Sequence, residues 1–510
     1  MNLTPLKEET VLEENKDRWF ETKHLHTDLK SRSVKGGFST IAGQVVSFAI
    51  NIVSTILLAR LLTPQDYGLV AMVTAVTGFV TIFNDLGLSS AVIQKEQINQ
   101  QQVSAVFWIN LFISLGIAII VALLAPLLVS FYNEERLFNI TLVFSVGIFV
   151  SSLSLQHNAL MKRQMKFESL ALMNTVNAFL SVLCGILLAW LGFGYWAIVS
   201  ITILFPTFNT VALWFICDWR PSFAFDTRNV RSFIQFGAGI TGFDLINYFS
   251  RNMDNVLIGK YIGSVALGLY TKAYQLLLLP ITQLRNPLNS VALPALSTLQ
   301  NDRGKYRNYY KRFLFILAFF SMPAVSFMAV FSEELILIVL GEQWIEASSI
   351  FRILAIAAFI QPTLGTIGLV MITTGDTKRY FIWGCINAVL VVSAFLIGVQ
   401  WGVDGVAKAY VAVTYLLFFP ALFYSLHGSP VPVALFLKEI TFPAIFSIIC
   451  GIAMYIYRGY FIYLNDIILS ITGFSVGALL YLMLWFVCKA SRERVMQVFE
   501  IRHVLLKKIN

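Results

Sequence analysis

Apolar blocks of about 18 to 25 residues, separated by short polar links, recur along the whole chain. That length crosses ~30 Å of hydrocarbon at about 1.5 Å per residue. Backbone groups in lipid need partners within their own segment or in a closed barrel, and the blocks lack the short in-out alternation of barrel strands. The expected fold class is therefore all-α integral membrane, with about fourteen transmembrane helices. Hydrophobic residues make up 57% of the 510 and charged residues 13%. A water-soluble domain carries about twice that charge, so no soluble catalytic body is expected.

The spans divide into a polar tail (1–37), six spans (38–217), a linker (218–232), six more spans (233–426), an appended pair (427–488) and a second polar tail (489–510). Expected spans include Tyr67 to Ile93, Leu137 to Gln156, Phe233 to Ile258, Phe313 to Leu340 and Val403 to Leu426. The first tail is too long and too charged for a signal peptide. At an offset of 200 residues, Ala59-Arg60-Leu61-Leu62 through Gly68-Leu69 aligns with Gly259-Lys260-Tyr261-Ile262 through Gly268-Leu269. In each copy a span closes on a small residue and a cation, and a Gly-Leu pair opens the next. Coincidence and duplication both produce so short a match; duplication predicts two pseudo-repeated six-helix lobes around a central cavity.

Lys and Arg total 37 against 28 Asp and Glu, a net charge of +9. With the N-terminus assigned to the cytosol, the tails and even-numbered links carry 28 of the cations, and the odd-numbered links carry four: Arg60, Arg136, Lys260 and Arg458. The positive-inside rule then places both termini in the cytosol. Most of the excess charge is a topology signal, and no nucleic-acid partner is implied. The five cysteines lie in or beside apolar blocks without metal-site spacing and read as small apolar fillers.

Catalytic and cofactor chemistry finds no motif. Gly259-Lys260 and Gly304-Lys305 are each followed by Tyr, which lacks the aliphatic hydroxyl of a P-loop. None of the twelve aspartates lies two residues from another, and the five histidines are scattered. No enzyme activity, metal or cofactor is expected.

Polar groups within spans are costly, roughly 2.5 to 3.5 kcal/mol for a charge on insertion scales, and face a cavity or a partner. Asp244, Asn247, Tyr248, Arg251 and Asn255 are spaced to stack on one face of the seventh span. They either line a water-filled cavity or hold helices together. In the eighth span Lys272, Gln275, Gln283, Arg285, Asn286 and Asn289 surround an apolar run and Pro280, where a kink or hinge is expected. Arg352 and Lys408 lie near the outer ends of the tenth and twelfth spans, where they either snorkel outward or join the cavity. Intramembrane acids are fewer: Asp244 and Asp254, with Asp85 and Asp404 near span ends. The candidate substrate-binding set is Asp244, Asn247, Arg251, Lys272, Arg285, Arg352 and Lys408, and its positive balance suits an anionic cargo.

The segment Leu57-Leu58-Ala59-Arg60-Leu61-Leu62-Thr63-Pro64-Gln65-Asp66-Tyr67-Gly68-Leu69-Val70-Ala71-Met72, followed by Asp85-Leu86-Gly87-Leu88-Ser89-Ser90-Ala91-Val92-Ile93-Gln94, resembles the polysaccharide exporters of bacterial lipopolysaccharide and exopolysaccharide synthesis. The likeness is closest to the colanic-acid-exporter-like branch of the multidrug, oligosaccharidyl-lipid and polysaccharide flippase superfamily. The resemblance implies a bacterial inner-membrane flippase that moves an undecaprenyl-pyrophosphate-linked glycan outward by alternating access. It implies as partners that lipid-linked glycan, membrane lipids, and polysaccharide polymerase and chain-length machinery. No family binding residue maps onto the stretch around Arg251 or Lys272. Two rival readings are a cation-coupled multidrug exporter of the same superfamily, which needs buried acids, and a membrane polymerase or glycosyltransferase, which needs a sizeable outer loop.

Overall fold

The computed structural model describes residues 19–20, 29–79, 88–95, 97–223, 248, 251–487 and 492. Regular structure among these residues is helical throughout. The chain forms two compact units, Met1–Val265 and Ala266–Asn510. Unit 1 contains α1 (Leu29–Leu61), α2 (Pro64–Thr77), α3 (Leu88–Gln94), α4 (Gln100–Tyr132), α5 (Leu137–Ser152), α6 (Leu155–Arg163), α7 (Phe167–Trp190) and α8 (Trp196–Ile216). A helix over 251–261, here α9, completes it.

Unit 2 takes in α10 (Ser264–Thr298) from its third residue onward, then α11 (Arg303–Val330), α12 (Ser332–Val339), α13 (Ala347–Thr373), α14 (Thr377–Gly398) and α15 (Gly402–Leu416). It ends with α16 (Phe418–Leu426), α17 (Val433–Tyr460) and α18 (Asp466–Val487).

Eleven segments among the described residues are long and apolar enough to cross a membrane, and one of them, Thr377–Leu416, holds both α14 and α15. Of the expected spans, Tyr67 to Ile93 and Phe233 to Ile258 lie partly outside the described residues, as does Asp85.

Three expected boundaries need correction. The ninth span, expected over Phe313 to Leu340, is α11 ending at Val330 and a separate α12. Glu333 and Glu334 stand in the first turn of α12, where the unpaired N–H groups of a new helix favour anions. The fourth span breaks at Leu153–Ser154 into α5 and α6, and the twelfth breaks at Leu417 into α15 and α16. At Pro280 the helix does not stop: α10 runs through Pro280, Pro287 and Pro294.

The two copies of the 200-residue match break in the same phase. Helices end at 61 and 261 and restart at Pro64 and Ser264. In the first copy Thr63 makes a capping box: its Oγ1 accepts from Asp66 N, while Asp66 Oδ2 accepts from Thr63 N at 2.9 Å. Pro64, lacking an N–H, fits the first helical position. In the second copy Gly263 turns the chain at φ +114°, a conformation that a side chain resists.

Within each unit, links that the charge count assigns to one side meet at one end. In unit 1 the Arg163 guanidinium donates to Phe20 O, Val92 O, Ile93 O and Lys95 O. Gln164 donates to Trp19 O at 3.0 Å, and Lys166 lies 4.0 Å from the Trp19 ring centre. Trp219 and Gln100 bond at 2.6 Å, tying the end of α8 to the start of α4. Lys260 donates to Phe131 O, joining two odd-numbered links. In unit 2, Arg307 donates to Pro430 O and Arg379 to His427 O, again among even-numbered links.

Candidate substrate-binding face

α10 is the least apolar of the eleven candidate spans, and its sequence contains two cations, Lys272 and Arg285, and no acid. One face is fixed by packing: Leu267, Tyr270, Leu277, Ile281 and Leu296 are buried. The face across from it exposes Gln275, Gln283, Asn286 and Ser290. Burial of the leucine and tyrosine stripe, at about 25 cal/mol per Å² of apolar area, orients the helix and leaves the amides outward.

The expected site residues are distributed as follows. Asp244 and Asn247 lie outside the described residues. Arg251 is exposed at the start of the described part of α9, while Tyr248 donates to Thr74 O at 2.7 Å and packs against α2. Lys272 is 7% exposed and donates to Gln275 Oε1 at 3.1 Å. Arg285 is half-buried, and its Nη1 lies 3.5 Å from where a Cβ on Gly365 would stand, an ordinary contact distance that places the guanidinium beside α13. Lys408 is exposed on α15.

Arg352 has carboxylate and hydroxyl partners. Its Nη2 meets Glu333 Oε1 at 2.9 Å and its Nε donates to Ser332 Oγ at 3.0 Å. Glu333 also pairs with Arg458, which in turn holds Glu334. Burial pushes the Glu333 carboxyl up, and hydrogen bonds from Arg458 and Arg352 outweigh it and hold the group below the usual carboxylate range. This network joins α12 to α13 and α17.

Lys272 and Arg285 are thus brought onto one helix, 13 residues apart, whereas Arg352 is engaged in the network. Sequence reasoning missed Glu333 and Glu334 as partners; two adjacent acids inside an expected span were the available signal.

The model of a family described as "Polysaccharide biosynthesis protein" matches residues 57–349. The chain is 26% identical over 375 residues to the teichuronic acid biosynthesis protein TuaB of Bacillus subtilis (strain 168), covering 71% of this chain and 74% of that one. It is 22% identical to the lipopolysaccharide biosynthesis protein WzxC of Escherichia coli (strain K12), covering 76% and 79%. Among solved structures, the lipid II flippase MurJ in an inward closed conformation superposes with a TM-score of 0.71 at 16% identity, covering 88% of this chain and 98% of that one. An inward-facing multidrug transporter of the MATE family gives 0.58 at 14% identity, with 77% and 96% covered. These two share the fold. Because the matched stretch exceeds half of the 510 residues, the chain belongs to the polysaccharide biosynthesis protein family.

Proposed function

We propose that this protein is a transporter, not an enzyme, and that it moves an undecaprenyl-pyrophosphate-linked oligosaccharide from the cytosolic to the outer leaflet of the bacterial cytoplasmic membrane for surface polysaccharide synthesis. The observation that carries this reading is the exposed polar face of α10 within a membrane span. Amides facing hydrocarbon would be left without partners, so such a face belongs beside water or cargo. The names of the relatives, teichuronic acid and lipopolysaccharide biosynthesis proteins, supply the cargo class.

In this reading both termini are cytosolic, two six-helix lobes alternate access, and the appended α17 and α18 stand beside the second lobe. Arg251, Lys272, Arg285 and Lys408 compensate the diphosphate, whose charge cannot enter hydrocarbon alone. Asp244 and Asn247 belong to the same wall through the stacking of their positions with Arg251. Arg352, already held by Glu333, fixes α12 against α13. The polyprenyl tail stays in lipid throughout.

The test is to deplete the protein in cells and follow the lipid-linked oligosaccharide. Its accumulation in the inner leaflet, with loss of surface polysaccharide, is expected. Unchanged surface polysaccharide accompanied by greater drug susceptibility would replace this reading with that of a multidrug exporter.

A further inference from the structure

We infer that α10 carries the sugar part of the cargo along a neutral, amide-lined track. This rests on the translocation proposed above and names the chemistry of one wall of its path. At 100° per residue, Gln275, Asn286, Ser290 and Gln283 fall within an arc of about 80°, and all four are exposed. Lys272 lies on the same arc toward the start of the helix, and Leu279 is its one apolar interruption between Gln275 and Ser290. Gln275 to Ser290 covers 15 residues, or ~22 Å along the axis, about three quarters of the ~30 Å of the hydrocarbon layer. At the edge of the arc, Asn289 Oδ1 is buried with no protein partner among the described residues.

Length and neutrality together point to sugars. A side-chain amide both donates and accepts, as does a sugar hydroxyl, so any hydroxyl of a moving glycan can pair with any amide of the track. Each step along α10 then exchanges one neutral hydrogen bond for another of similar strength. Charge-assisted bonds are about twice as strong and would hold the glycan in one place. The ligand class is an oligosaccharide rich in free hydroxyls, with the diphosphate left to the cations.

The experiment uses the full chain in lipid nanodiscs. Binding is measured for two probes: undecaprenyl pyrophosphate alone, and the same lipid bearing a short neutral oligosaccharide. The wild type is expected to bind the glycosylated lipid more tightly. Replacing three polar groups together, Gln283→Leu, Asn286→Leu and Ser290→Ala, should weaken the glycosylated lipid at least tenfold and leave the sugar-free lipid unchanged. If the triple variant fails to fold, Gln283→Leu and Asn286→Leu singly should each weaken the glycosylated lipid about threefold at an unchanged thermal midpoint.

Equal loss for both probes would mean that the face reads the diphosphate, and no loss for either would mean that it contacts no cargo; each result overturns the track. A wild type that binds neither probe overturns the translocation function itself, and the track with it.

Discussion

Gly68 of α2 lies against the backbone carbonyl of Ser264, so closely that a Cβ on Gly68 would stand 1.7 Å from that oxygen. The approach seats the second turn of α2 on Ser264. Both lie within the two stretches that the 200-residue match aligns.

Gly68→Ala should therefore displace backbone rather than a flexible side chain, lowering stability by about 1–3 kcal/mol or more. Thermal unfolding of the detergent-purified protein checks this. Gly116, which has nothing within 4 Å of its ideal Cβ, is the control: Gly116→Ala within α4 should be neutral or slightly stabilising. Equal midpoints for the two variants would refute the close approach.

Arg163→Met should free Trp19 and Phe20, which are 3% and 6% exposed. One guanidinium holds the Phe20 carbonyl and three carbonyls at or just beyond the end of α3. Its removal leaves these acceptors short of donors, at about 1.5–3 kcal/mol for a charged bond. Limited proteolysis of the variant should cut near Trp19 sooner than in the wild type. Arg163→Lys should rescue only in part, because an ammonium cannot reach two segments with a planar fork.

The network around Glu333 predicts a pH dependence. The folded state holds this carboxyl below its ordinary range, so its contribution is present above the unfolded value of about 4.3 and is lost as pH falls through the lower folded value. Glu333→Gln should flatten the acid limb of a stability profile. An acid limb identical to that of the wild type would show that Glu333 is not responsible.

Arg251→Ala and Lys272→Ala should each reduce surface polysaccharide at least tenfold in a complementation assay while membrane insertion is retained. Arg352→Ala should instead lower the thermal midpoint, since its partners are Ser332 and Glu333. Full complementation by both Arg251→Ala and Lys272→Ala would remove these two cations from the proposed path.

Helical class and the clustering of like-sided links were legible because each depends on local hydrophobicity and on charge at block ends. The capping box at Thr63-Pro64-Gln65-Asp66 is written within four residues, yet the expected span opened only at Tyr67. Contacts over long separations were not legible. Phe20 meets Arg163 across 143 residues, and no periodicity in either segment announces the other. Arg352 read as either a cavity cation or an outward snorkel, and its partner Glu333 went unnoticed in what looked like continuous span. The amides of α10 were visible as polar interruptions, but their sharing of an exposed arc depends on which leucines the neighbouring helices bury. Asp244 and Asn247 fall outside the described residues.

Arg458 and Glu334 are 124 residues apart in the chain. At a synthesis rate of about 5–20 residues per second, the ribosome makes Glu334 some 6 to 25 seconds before the guanidinium that holds it. Throughout that interval the growing polypeptide carries an acid whose eventual counter-ion does not yet exist. Completion of the second unit must then wait for insertion of the final hairpin, and a chain cut off before α17 would expose that acid to quality-control proteases.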